Sequence, residues 1–380
     1  MSEQRVLSPD EIAPFLRSVF NLTRKEGYLE PARLPASALA QSPDPGVSLT
    51  ARMTSGVRLA FETDSPFVAL DVLETGLQYV PEQRRPSAFD LTIDGEFAAR
   101  AETSRGTTIK LDATTAPPAA QIVRGEPSII RFEGLSPKNK SVELWLPHTA
   151  MVRLRGLHIA KDAQIREAKR SRRVWAHYGS SISHGMEADG PSETWPAVAA
   201  RRMELELIHM GFGGQCHVDG FTARTIRDSN ADLISLKLGI NVVNGDTMRE
   251  RAFRPAVDNF LDTIREKKPV APIVVVSPIL CPAAETNPGP TLREGPGFVT
   301  RKRSAEFSMG ALTLSRIRQI LEEIVTRRRA AGDANLHYLS GLELFNESDV
   351  ADLPDGLHPN AAGLKRMGER FATLSRAHFA

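Results

Sequence analysis

The feature that most constrains this chain is a change of periodicity about two-fifths of the way along it. Before residue ~165 the apolar residues fall in short alternating runs: VSLTARMT, VRLAFET, FVALDVLE, FDLTIDGEF, SIIRFEGL, KSVELWLP and MVRLRGLHIA. Alternation puts one face of each run on a core, and the regular turn residues between runs predict an all-β sandwich, jelly-roll-like, preceded by a short helix around residues 12–24. Asp94-Gly95 within LTIDGEF suits the tight turn of a hairpin. From RVWAHYG onward the runs become continuously apolar, as in LELIHMG, DLISLKLGI, APIVVVSPI and NLHYLSG. Such strands are buried on both faces. They alternate with helical stretches, namely ETWPAVAARRME, MRERAFRPAVDNFLDTIREKK, residues 302–331 and the segment after DGLHPN. That alternation predicts a parallel sheet with helices on both faces. The expected division is a β-sandwich domain over 1–165 and an α/β domain over 170–380, joined by a polar, basic linker.

The other bulk properties mainly exclude. Lys and Arg number 48 against 46 Asp and Glu, so no overall field draws in nucleic acid. The clusters REAKRSRR and TRRRAAG read as solvated faces. Two cysteines, Cys216 and Cys281, make no disulfide framework. The first twenty residues lack the apolar stretch of a secretion signal, and no run suits a membrane span. A soluble, cytoplasmic protein with no nucleic-acid or membrane partner is expected.

Chemistry enters at HYGSSISHG, residues 177–185, at the carboxyl end of the first strand of the α/β domain. In an open parallel sheet this is where ligands collect. A serine there can be a nucleophile with backbone N–H groups beside it, although a serine-rich helix cap would look the same. A nucleophilic serine needs a base, and the base needs an orienting carboxylate. DGLHP supplies both in Asp355 and His358, just before the last helix. LIHMGFGGQ puts Gly213 and Gly214 after the second strand, where a bare backbone N–H can approach a substrate oxygen. LKLGINVVNG puts Asn241, whose amide is a good oxyanion donor, after the third. Each alone has a bland reading as a turn residue. Together they fall in order at one end of one sheet.

The blocks YGSSISHG, GFGGQ, LGIN and DGLHPN resemble the four blocks of the SGNH, or GDSL, hydrolases over about residues 172–380. The resemblance implies a three-layer α/β/α fold and acyl transfer through an acyl-serine. It makes Ser181 the nucleophile, His358 the base and Asp355 its partner. It assigns the oxyanion hole to the N–H groups of Ser181 and Gly214 with the Asn241 side chain. Ser180 and Val242 depart from the family pattern, which has aspartate at both places, and imply altered support around the nucleophile. Water as acyl acceptor makes an esterase, and a bound hydroxyl makes a transferase. Relatives with a leading β-sandwich often act on acylated carbohydrate. The two-domain layout is also similar to acyltransferases of antibiotic biosynthesis that carry a small, salicyl-type acyl group from a coenzyme A thioester to a sugar hydroxyl of a product such as a tetracycline. The expected partners are therefore an acyl donor and a hydroxylated or glycosylated acceptor. No cofactor or metal is expected, with acyl-coenzyme A entering only as substrate. A non-catalytic sugar-binding protein is the remaining alternative.

Other candidates are weaker. Ser183 and His184 are neighbours in one turn and are not expected to converge on a substrate atom. His177, His209 and His217 lack the paired spacing of metal ligands and read as structural. Cys216 has no base of its own and reads as a buried thiol. Residues 281–303, rich in Pro and Gly, are long for a connection and fit either a lid or substrate wall or a loose surface excursion. Arg301, Lys302 and Arg303 could meet a phosphorylated carrier, though a solvated charge run explains them as well.

Overall fold

The computed structural model describes residues 3–42, 44–112, 119–169, 173–295 and 297–379. The chain forms two compact units. The first comprises residues 1–36, 51–171 and 189–192, and the second 37–50, 172–188 and 193–380.

In the first unit an eight-stranded and a six-stranded sheet, mostly antiparallel, share one apolar core. Phe61, Leu70, Phe89, Leu144 and Leu157 are the alternate, inward residues of five strands and are fully buried together. The hairpin of Ser87–Ile93 and Glu96–Thr103 turns at Asp94 (φ 51°) and Gly95 (φ 88°), the doubly left-handed geometry that the Asp-Gly pair favours. The expected helix over 12–24 is not formed. A single turn, Pro9–Ile12, is closed by a reciprocal Ser8–Glu11 cap, and a 3-10 turn, Ala13–Phe15, follows it. Pro14 cannot donate within a helix, and the chain passes into strands Leu16–Arg17 and Asn21–Lys25. VSLTARMT also departs from its expected strand: Pro45–Arg52 is a helix. Its buried residues Val47, Thr50 and Ala51 have helical rather than alternate spacing.

The second unit is built on five parallel strands: β1 (Val174–Gly179), β2 (Glu206–Gly211), β3 (Leu233–Lys237), β4 (Ile273–Val276) and β5 (Leu336–Leu339). They lie in the order β2-β1-β3-β4-β5, so the switch point flanks β1. Side chains of β1 alternate between two helical layers. On one side Trp175 stacks on Phe371 of the last helix (ring centroids 5.1 Å) and lies 6.3 Å from Trp195. On the other Tyr178 stacks on Phe260 of helix Glu250–Arg265 at 5.5 Å. The helix expected over 302–331 occupies only Leu314–Ala330, started by the Thr313 hydroxyl accepting from the Arg316 N–H. No helix among the described residues is long and apolar enough to cross a membrane.

Candidate active site

The site is assembled at the carboxyl ends of β1, β2 and β3. After Gly179 the chain makes one helical turn, α1 (Ser181–His184), ended by Gly185 in the left-handed region at φ 76°. Ser181 opens that turn, where a backbone N–H has no partner within the helix. Its Oγ lies 2.9 Å from His358 Nε2. His358 Nδ1 lies 2.7 Å from Asp355 Oδ2, while Asp355 Oδ1 accepts the N–H groups of Leu357 (2.8 Å) and His358 (2.7 Å). Residues 177 positions apart are thus joined in a hydroxyl–imidazole–carboxylate chain. Burial works to raise the Asp355 pKa, but the His358 ring and the two backbone donors outweigh it and hold the carboxyl below its ordinary value. The carboxylate is therefore charged at neutral pH, ready to orient the ring and stabilise an imidazolium.

After β2, Phe212–Gln215 form a turn closed by the Gln215 N–H donating to the Phe212 carbonyl (3.1 Å), with Gly214 at φ 71°. Glycine adopts that conformation without strain. A methyl at Gly213 would stand 3.9 Å from the Ser181 Cβ, which places this turn beside Ser181. After β3, the buried Asn241 accepts the Cys216 N–H on its Oδ1 at 3.0 Å. With the oxygen so engaged, the NH2 end is the one left to meet a ligand. The same bond ties Asn241 to the Gly213–Cys216 loop. Ser181, Asp355 and His358 are thus brought into one chain of bonds, with Gly214 and Asn241 on linked loops next to them.

The remaining candidates take other places. Ser183 Oγ bonds His177, not His184. His177 and His209 are fully buried in hydrogen bonds, and His217 lies at the surface on the Gly214 carbonyl (3.0 Å). Burial pushes the thiols of Cys216 and Cys281 up to about 12 and about 11, which leaves both protonated and poor nucleophiles. Ser180 is fully buried, as is Val242. Arg303 is paired with Asp246 at 2.5 Å, whereas Arg301 and Lys302 are exposed.

Two features escaped the sequence. Residues 281–303 contain a hairpin, Thr291–Glu294 with Gly297–Thr300, lying against the loop that carries Asp355 and His358. Phe298 donates its N–H to the Asp355 carbonyl (2.9 Å) and meets the His358 ring edge-on, with centroids 5.6 Å apart. Glu187 brings a second carboxylate to the site. Its oxygen, one of Asp355 and a ring nitrogen of His358 lie within 4.8 Å of one another. This is metal-like spacing, but both His358 nitrogens are engaged by Ser181 and Asp355. No local motif marks Glu187.

Comparison with known proteins gives the chain its relatives. A salicylyl-acyltransferase, SsfX3, from a tetracycline biosynthetic pathway is similar over 99% of both chains, at 29% identity and a TM-score of 0.81. A GDSL-like lipase from Bacteroides ovatus shares the fold over 99% of this chain and 98% of its own (19% identity, TM-score 0.71). So does a family two carbohydrate esterase from Cellvibrio japonicus, over 100% and 99% (13% identity, TM-score 0.60). No curated protein sequence matches the chain. The GDSL-like lipase/acylhydrolase sequence family matches residues 177–366, half of the chain and all four blocks of the site. With its serine, imidazole and carboxylate in hydrogen-bonding sequence at one sheet edge, the chain belongs to that family of acyl-transferring enzymes.

Proposed function

We propose that the protein is an O-acyltransferase that moves a small, salicyl-type acyl group from a coenzyme A thioester, through acyl-Ser181, to a sugar hydroxyl of a glycosylated natural product such as a tetracycline. The observation that carries the chemistry is the 2.9 Å approach of Ser181 Oγ to His358 Nε2. The full-length similarity to a salicylyl-acyltransferase supports the choice of acyl group and acceptor.

In the first half-reaction His358 Nε2 takes the Ser181 proton as Oγ attacks the thioester carbonyl. The resulting oxyanion is held by the N–H groups of Ser181 and Gly214 and by the Asn241 amide. Collapse breaks the C–S bond, and the imidazolium gives its proton to the departing thiolate. In the second half-reaction His358 takes the proton of an acceptor hydroxyl, whose oxygen attacks the acyl-serine carbonyl. Collapse returns the proton to Ser181 Oγ and releases the ester. Asp355 holds the ring in the tautomer with its lone pair on Nε2 and stabilises the positive charge in both halves.

The family's acylhydrolase members favour a second reading, in which water is the acceptor. The two are separated by supplying salicylyl-coenzyme A with and without a glycosylated tetracycline. Transfer predicts that thiol release beyond one equivalent of enzyme depends on the acceptor, with the salicylyl group appearing as an ester. Free salicylate at the same rate in both arms would establish the esterase. Labelling by a fluorophosphonate that is equal in the parent and Ser181→Ala would refute the nucleophile.

A further inference from the structure

We infer that His177, with Ser235 below it and His209 beside it, is a positioning residue of the acyl-transfer reaction. It holds the turn that carries Ser181 at the height and rotation His358 requires. The inference rests on Ser181 being the nucleophile.

A single helical turn has too few internal bonds to fix its own orientation. For α1 the constraint comes from beneath. Gly179 and Gly211 are register partners on β1 and β2, and a methyl on either would collide with the turn. The distances would be 2.2 Å to Ser183 Oγ from Gly179 and 2.5 Å to the His184 nitrogen from Gly211. The turn therefore rests on bare backbone.

Side-chain bonds clamp it to that floor. His177 Nε2 lies 2.8 Å from Ser183 Oγ, and its Nδ1 lies 2.7 Å from Ser235 Oγ on β3. Ser235 Oγ also accepts the indole N–H of Trp175 at 2.9 Å. From β2, the His209 Nε2–H donates to the Ser183 carbonyl at 2.9 Å. Ser183 is two residues from Ser181, and through it the turn is tied to β1, β2 and β3. The ends of those same strands carry the nucleophile, Gly214 and Asn241. One clamp thus sets the mutual placement of the groups that must meet a single carbonyl.

The ring is suited to this place. Burial, and then the charge of Lys237, push the His177 pKa well below the ordinary imidazole value. A neutral ring offers one donor and one acceptor, which matches the two hydroxyls it bridges. A buried polar chain whose members all find partners holds one arrangement more sharply than apolar contacts do. Misplacing a reacting atom by about 1 Å costs on the order of 10²-fold in rate.

The test measures the rate of fluorophosphonate labelling of Ser181 across probe concentrations, in variants shown by circular dichroism to be folded. Ser183→Ala and His177→Phe each cut the clamp. The saturating rate is expected to fall about 10²-fold, with the half-saturating concentration within about twofold of the parent. The double variant should be no slower than the worse single one, because both remove the same bond. His177→Gln, which keeps a donor and an acceptor, should recover part of the loss. Trp175→Phe removes the indole donor but leaves the His177–Ser183 bond, and should keep most of the rate whatever stability it loses. Folded Ser183→Ala labelled within threefold of the parent, losses that appear in the half-saturating concentration instead, or losses that multiply in the double variant would overturn the inference. Should His177→Phe fail to fold, Ser183→Ala decides alone. Equal labelling of Ser181→Ala and the parent would refute the nucleophile instead, and so is distinguishable.

Discussion

Lys237→Met is expected to stabilise the protein, an unusual outcome for a substitution in a central strand. Lys237 lies on β3 with 1% of its surface exposed, and among the described residues its Nζ makes no hydrogen bond. Burial pushes its pKa from 10.5 down to about 8, with Cys216 opposing the drop and Arg318 adding to it. At pH 7 the amine is charged in both folded and unfolded chains, and the folded state bears the cost of holding it so. At ~1.4 kcal/mol per tenfold, that drop corresponds to ~3 kcal/mol. Methionine keeps the unbranched stem and its packing while removing the charge. The gain should approach ~3 kcal/mol at pH 7 and raise the midpoint of thermal unfolding by several degrees.

The pH dependence provides the sharper check. Above pH ~8 the folded chain releases this proton while the unfolded chain keeps it until pH ~10.5. Parent stability therefore rises with pH across that window, and the advantage of the variant closes over the same interval. Urea unfolding of both proteins at pH 7, 8, 9 and 10 measures the gap. A variant less stable than the parent at pH 7, or a gap that does not narrow between pH 8 and 10, would refute the reasoning and mean that the ammonium has a partner in solution.

A second buried lysine should behave in the opposite way. Lys140 Nζ donates to the carbonyls of Ser136 (2.6 Å), Ser65 (2.8 Å), Thr63 (3.2 Å) and Lys138 (3.4 Å), so Lys140→Met strips four acceptors of their donor and should cost ~2–4 kcal/mol by urea unfolding. A change of the same sign as for Lys237→Met would disprove the hydrogen-bond accounting behind both. Asp355→Asn keeps an oxygen for the N–H groups of Leu357 and His358 but turns an NH2 towards Nδ1, which forces the ring proton onto Nε2. Turnover should fall ~10⁴-fold with the fold retained, and a loss under tenfold would show the carboxylate to be dispensable. Asn241→Ala should slow acylation ~10²–10³-fold, and Asn241→Asp at least as much, since a carboxylate repels an oxyanion. An aspartate variant as active as the parent would remove this side chain from the oxyanion site.

What could be read beforehand depended on how local its cause is. The five strands of the parallel sheet were legible because burial on both faces forces unbroken apolar runs such as IVVV of β4. The Asp94-Gly95 turn was legible because its geometry belongs to two residues. The strand expected at VSLTARMT was not formed, since a short stretch of valine, leucine and alanine fits either period and tertiary packing decided. Ser181, Asp355 and His358 stood out because each sits in a block of distinctive composition. Glu187 did not, as a lone glutamate looks like any solvated one until folding sets it near His358. The clamp was hidden for a related reason. His177 and Ser235 are 58 residues apart, and nothing in either segment names the other.

The exchange of short segments between the two units bears on how such an enzyme can be engineered. Residues 37–50 are separated from the rest of the second unit by more than a hundred residues, yet Gly46 packs on Gln215 and Thr50 on Gly213, beside Ser181. A gene trimmed to start at position 170 would omit that wall of the Gly213–Cys216 loop. Swapping acyl specificity between homologues by a single crossover would mate a loop with a foreign neighbour. Transplanting this enzyme's selectivity therefore calls for at least two splice points, one on either side of the helix at 45–52, in addition to the obvious one before β1.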